Sequence, residues 1–210
     1  MKRRYAVSLL AVSLVWMVNE AQCAEGMYAG GALGLASASD ADAVDPFIPN
    51  VTGNMSFDSG YGLLANIGYG FDNVRVEGEW AYQKNDLDSL ELLGKSVGLN
   101  GDVTVWSLLA NGYYDIPLGS DFFPFVTAGL GFAQVSMNDF NTKNSGEPDW
   151  SGDDFVFAWQ IGAGLGYAVN NQLTVEATYR YFATTEADFD DGSSLDFASH
   201  NIYLGARYSF

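Results

Sequence analysis

From Val74 to Gln83 the chain sets Arg75, Glu77, Glu79 and Gln83 on one side of an extended backbone and Val74, Val76, Trp80 and Tyr82 on the other. Successive side chains of a β-strand point to opposite faces, so this segment has a charged face and an apolar face that ends in aromatics. An open sheet could not bring such a charged face into lipid. A closed barrel can, by turning it inward. The segment therefore predicts a wall with lipid on one side and a polar lumen on the other.

Seven more segments of about ten residues repeat the alternation, each near the length a tilted strand needs to cross the hydrocarbon layer. Met27 to Ala36 turns Ala29, Leu33 and Leu35 outward against Tyr28, Gly30, Ala32 and Gly34. Tyr61 to Gly70 turns Tyr61, Leu63, Ala65, Ile67 and Tyr69 outward around an inward Asn66. Val103 to Tyr114 sets Trp106, Leu108, Ala110 and Tyr114 against Ser107, Asn111 and Tyr113, and Phe123 to Val135 sets Val126, Ala128, Leu130 and Phe132 against Thr127, Gly129 and Gly131. In Val156 to Ala168, outward Trp159, Ile161, Ala163, Leu165 and Tyr167 oppose Gln160 and three glycines. In Leu173 to Phe182, Val175, Ala177, Tyr179 and Tyr181 oppose Thr174, Glu176, Thr178 and Arg180. The final strand puts Ile202, Leu204, Ala206, Tyr208 and Phe210 outside and Asn201, Tyr203, Gly205, Arg207 and Ser209 inside. A mean hydropathy of +0.01 conceals all of this, because alternation dilutes each strand's own signal.

The connectors give the topology. Gly70 to Asn73, Asp115 to Asp121 and Val169 to Gln172 are short, whereas Ala36 to Asp58, Lys84 to Asp102, Met137 to Asp154 and Thr184 to Asp196 are long. Short turns belong on the periplasmic side and long loops outside; an even strand count closes the sheet and removes its edges. The fold class expected is an all-β, eight-stranded, antiparallel up-and-down transmembrane β-barrel. Ahead of it, Lys2, Arg3 and Arg4 precede an apolar run from Tyr5 to Val18, with small residues at Ala21 and Ala24. These are the parts of a secretory signal peptide, so residues 1–24 are expected to be removed and residues 25–210 to form the barrel domain. Cys23, the only cysteine, lies in that leader, and Glu20-Ala-Gln before it does not match a lipoprotein signal.

Tyr28-Ala-Gly-Gly-Ala-Leu-Gly, Val74-Arg-Val-Glu-Gly-Glu-Trp, Pro124-Phe-Val-Thr-Ala-Gly-Leu-Gly, Tyr179-Arg-Tyr-Phe182 and Ala206-Arg-Tyr-Ser-Phe210 together resemble the eight-stranded outer-membrane β-barrel family. That family groups with the membrane domain of outer-membrane protein A and with alphaproteobacterial surface antigens. The resemblance implies a Gram-negative outer-membrane address, contact with outer-membrane lipid and lipopolysaccharide, and a surface-antigen or adhesin-like role. It further implies that Tyr203, Gly205, Tyr208 and Phe210 form a terminal signal for the barrel-assembly machinery. It says little about activity.

After the leader, the only arginines are Arg75, Arg180 and Arg207, all on inward registers, and Glu77, Glu79 and Glu176 share that side. Unpaired charge in a low-dielectric lumen costs several kcal/mol, so ion pairs are expected, with Asn66, Asn111 and Gln160 meeting the leftover hydrogen-bond demand. Such a network closes the lumen, since eight strands enclose room only for side chains. The alternative is a small gated or non-selective diffusion channel, because many inward positions are glycine. Against it, Tyr113, Phe125 and Tyr203 are large enough to fill the space beside those glycines.

The formal charge of −17 shifts to about −19 once the leader is removed, which disfavours nucleic acid as a partner. Asp40, Asp42 and Asp45, then Asp149, Asp153 and Asp154, then Asp188, Asp190, Asp191 and Asp196 cluster in the long loops. They read either as solvated, repelling loops or as a surface for a host ligand or divalent cations. Asp188-Phe-Asp-Asp-Gly192 lacks a full calcium-loop spacing, so no metal site is assigned. Phe47, Ile48, Phe57, Leu87, Leu90, Leu92, Leu93, Phe140, Trp150 and Phe189 are expected to pack the loops or to meet a partner. His200 is the sole histidine, and its neighbour Ser199 must point to the opposite face, so no catalytic residue is assigned and His200 is expected at the outer rim. No cofactor motif is present, and a monomer is expected.

Overall fold

The last strand finds its partner at the other end of the chain. Residues Ala198–Ser209 pair antiparallel with Gly26–Ala38, in register from Tyr28 with Ser209 to Ala38 with Ser199. This seam closes the barrel in a computed structural model, which describes residues 25–39, 41–44, 52–57, 59–92, 95–142, 150–188, 194–195 and 197–210. The wall strands are β1 (Gly26–Ala38), β2 (Ser59–Phe71), β3 (Val74–Leu92), β4 (Lys95–Asp115), β5 (Phe122–Thr142), β6 (Trp150–Ala168), β7 (Leu173–Thr184) and β8 (Ala198–Ser209). Each pairs antiparallel with its neighbours in sequence, and β8 returns to β1. The proposed leader, including Cys23, lies outside the described residues.

The period-two pattern settles which way each residue faces. Leu33, Leu35, Ile67, Leu108, Leu130, Ile161, Leu165, Ile202 and Leu204 are exposed on the outer wall, while Arg75, Glu79, Asn111, Gln160 and Arg180 are buried inside. Two aromatic girdles bound the apolar band. Tyr61 and Tyr69, Trp106 and Tyr114, Trp159 and Tyr167, and His200 and Tyr208 each lie eight residues apart on one strand. At about 3.3 Å per residue and a tilt near 40°, that spacing covers about 20 Å of membrane, comparable with the apolar band of such barrels. Girdle rings touch across strands: Tyr82 and Trp106 at 4.5 Å, Trp80 and Trp106 at 5.1 Å, Phe122 and Tyr167 at 4.5 Å.

The structure departs from the sequence reading in the long connectors. Lys84 to Asp102 and Met137 to Asp154 are largely strand, because β3, β4, β5 and β6 run for 19 to 21 residues against 12 or 13 in β1, β2, β7 and β8. Half of the wall therefore projects well past the membrane. The other two connectors zip onto it: Ala41–Val44 pairs with Thr52–Phe57, which pairs with β3, and Ala187–Asp188 pairs with Ser194–Leu195, which pairs with Ala41–Val44. Backbone hydrogen bonding continued upward in this way satisfies donors and acceptors that free loops would leave to water.

Candidate functional site

The lumen is stratified, and the stratification follows from which residues each strand turns inward. Nearest the periplasm, Arg75 on β3 is 1% exposed, and its guanidinium donates from Nε to Asp115 Oδ2 at 2.8 Å and from Nη2 to Asp115 Oδ1 at 2.9 Å. This two-pronged fit is the strong form of an arginine–carboxylate pair. Glu176 lies 3.4 Å from Arg75 and 3.5 Å from Arg207, bridging the two cations. Rings supply the remaining contact, with the Arg75 guanidinium 4.3 Å from the Tyr113 centroid and that of Arg207 5.0 Å from Tyr28.

One layer higher, Arg180 Nη1 donates to Glu79 Oε2 at 2.5 Å and Nη2 to the Tyr113 hydroxyl at 2.9 Å. Asn111 donates to Glu79 at 3.1 Å, and Gln160 donates to Asn111 Oδ1 at 2.8 Å and to Glu79 at 3.3 Å. Glu77 forms no arginine pair. It accepts instead from Tyr113 at 2.6 Å, Tyr28 at 3.0 Å and Asn111 at 3.4 Å.

These contacts revise the expected balance of three cations against three anions. Asp115 is a fourth inward carboxylate, and it takes Arg75 as its closest partner. The sequence reading placed Asp115 in a turn, although it continues the inward register of Ser107, Asn111 and Tyr113 by one more step. Asn66 faces inward as expected but joins no charged group; its Oδ1 has no partner among the described residues. Of the residues read as a terminal assembly signal, Tyr203 and Gly205 face the lumen, Tyr203 lying 5.5 Å beneath Arg180, whereas Tyr208 and Phe210 are exposed outside with ring centroids 5.6 Å apart.

Above the ions lies a neutral chain. Asn201 donates to Ser199 Oγ, Ser199 to Gln83, Gln83 to Asn85, and Asn85 to the carbonyl of Ala36, at 2.8 to 3.2 Å. Above that, Val103, Val105, Leu109, Val135, Met137, Val156, Phe182 and Phe197 pack into a buried apolar plug. The sequence analysis assigned no role to this plug. Its signal was the inward register of Val103, Val105, Val135 and Val156, which breaks the polar-inside rule.

The inward glycines make room rather than a passage. A Cβ on Gly164 would strike Phe125, on Gly166 Phe123, on Gly68 Tyr28, and on Gly34 or Gly62 Tyr203. What space remains in the ionic layers is two cavities of about 20 Å³ each. Each suits about one water molecule. Asn66, Glu176 and Arg207 line one, Gln83, Gln160 and Asn201 the other, and Arg180 and Tyr203 border both.

His200 sits on the outer wall in the upper girdle, its Nδ1 2.7 Å from the Tyr179 hydroxyl and its ring 5.1 Å from Tyr181. Ser199 faces inward and is fully buried. The two residues do not meet. Among the described residues, no group of three or more His, Cys, Asp or Glu side chains could hold a metal ion. The loop acids Asp40, Asp45, Asp149, Asp190, Asp191 and Asp196, and the side chains of Asp42 and Asp188, lie outside the described residues, as do those of the loop residues Phe47, Ile48, Phe57, Leu87, Leu90, Leu92, Leu93, Phe140, Trp150 and Phe189.

A closed eight-stranded wall with an apolar exterior, two aromatic girdles and a filled polar interior defines a β-barrel membrane protein. The chain belongs to the outer membrane protein beta-barrel domain family, whose model matches residues 7–210. It is similar to outer membrane protein PagN of Salmonella typhimurium, with 26% identity over the whole of both chains, and to an uncharacterized protein of Brucella abortus, with 27% identity over 53% of this chain and 49% of that one. In fold it is similar to Neisserial surface protein A, with a TM-score of 0.60 and 18% identity over 88% of this chain and 97% of that one. It is likewise similar to OprG from Pseudomonas aeruginosa, with a TM-score of 0.57 and 18% identity over 89% of this chain and 96% of that one. The protein is an integral component of the Gram-negative outer membrane, in contact with its lipid.

Proposed function

We propose that the barrel is a closed anchor that holds a projecting extracellular wall out for contact with other surfaces, in the manner of an adhesin or surface antigen. The observation that carries this reading is the pairing of a filled lumen with strands β3 to β6 that outrun the bilayer by about half their length. A strand needs about 9–11 residues to cross, so the excess has no membrane role. With the strong acidic excess, the ligand class that fits is a cationic surface or one bridged by divalent cations. The ionic and apolar layers act together to close the lumen. The opposed faces of Ser199 and His200 argue against hydrolysis, and the function needs no catalysis.

Two further parts belong to this reading. Tyr208 and Phe210, presented outside on the closing strand, are the part of the terminal signal accessible to the assembly machinery. The protein works as a monomer, with lipopolysaccharide around its upper girdle and residues 1–24 removed on export. The test replaces residues 87–98 at the tip of the β3–β4 hairpin with a short turn and measures attachment of vesicles bearing the protein to polycationic and host-cell surfaces. Attachment should fall while the heat-modifiable mobility of the folded barrel persists. Unchanged attachment would refute the reading.

A further inference from the structure

One stretch of the outer wall lacks the large side chains that cover the rest. Gly78 and Ala110 are cross-strand partners, as are Gly112 and Ala128, and all four face outward. Together they floor a groove of about 850 Å³, walled by Ile67, Tyr69, Val76 and Leu130. Nothing inside the chain calls for glycine there. Both glycines have ordinary strand backbone, and a Cβ on Gly78 would meet nothing within 4 Å, whereas one on Gly112 would reach only the Ala128 carbonyl at 4.0 Å. The inward glycines differ, because each faces a side chain or carbonyl that a Cβ would strike.

The groove's position and its surroundings point to its occupant. Gly112 is two residues from the lower-girdle Tyr114, so the groove opens into the periplasmic leaflet. At its foot, the turn joining β2 and β3 carries an exposed Asp72, held in a left-handed conformation at φ 47, and the next connector carries an exposed Asp121. The three periplasmic connectors contain no lysine or arginine. A second copy of the wall would set hollow against hollow and leave a void without contacts. A flexible acyl chain fills a long apolar groove, and an ammonium headgroup suits an acidic rim. The volume lies within the range of about 300–1,000 Å³ usual for small-molecule sites.

We infer that this groove holds one acyl chain of an ethanolamine phospholipid of the periplasmic leaflet, with its ammonium beside Asp72. The full chain, folded into vesicles of mixed phosphatidylethanolamine and phosphatidylglycerol, is extracted in mild detergent and the retained lipid read by native mass spectrometry. Wild type should carry one phosphatidylethanolamine in excess of its share of the vesicle. Gly78→Leu and Gly112→Leu, which fill open space, should reduce retention to that share. Asp72→Asn, which leaves the groove intact, should retain lipid but lose the preference for the ethanolamine headgroup. Retention in bulk proportion by wild type, or retention unaltered by either leucine, would overturn the inference. So would a cross-linkable dimer that Gly112→Leu abolishes, which would assign the groove to a second copy.

Discussion

Glu79 and Arg180 show what a buried residue is worth in this lumen. Their contact is shared with Asn111, Gln160 and Tyr113, so removing one charge strands the other among groups already committed. Glu79→Gln should destabilise the barrel by about 3–5 kcal/mol in urea unfolding from vesicles, and the double change Glu79→Gln with Arg180→Met should recover part of that loss. Full additivity of the two would show that the pair is not coupled. Glycines give a matched contrast. Gly164→Ala drives a methyl into Phe125 and should cost about 1–3 kcal/mol, whereas Gly78→Ala meets nothing and should gain up to about 1 kcal/mol. The same unfolding assay ranks both.

Among the strands, β8 has the most exacting position, since it closes the ring by pairing with β1 on one side and β7 on the other. A proline there removes a ladder donor that lipid cannot replace. Ala206→Pro should therefore abolish the heat-modifiable folded band on gels. The upper part of β3 stands in contrast. Its pairs with β4 from Val74 to Lys84 lie within or next to the membrane, and its later pairs belong to the projection, beyond a register shift between Asp86 and Ser89. That irregularity separates the two portions, so shortening the tip leaves the spanning ladder intact.

Closure of the whole molecule rests on two unlike barriers in series. The ionic layers alone would admit a few waters, as their two small cavities show, but the apolar plug above them excludes water. Apolar constrictions block ions by staying dry. Arg75→Met should thus leave planar bilayers silent, while Val135→Ser combined with Met137→Ser should produce conducting events. Stable openings in wild type would favour the diffusion channel instead. The surface charge acts at longer range: attachment through an acidic wall should weaken as salt rises past about 0.15 M, where the Debye length falls to about 8 Å.

Alternation of side chains fixed the facing of every spanning residue, because a strand's period of two leaves no choice once one face must meet lipid. That is why Arg75, Glu79, Arg180 and Arg207 could be placed inside from sequence alone. Partner choice was a different matter. That Arg75 takes Asp115, and that Glu77 is held by two tyrosine hydroxyls and an asparagine, depends on stagger between strands forty or more residues apart, which no local pattern encodes. The projecting wall was hidden for a related reason: Lys84 to Asp102 is polar and rich in loop-forming residues, and only pairing with its neighbours makes it strand. Sequence determined inside and outside; closure of the ring decided which groups meet.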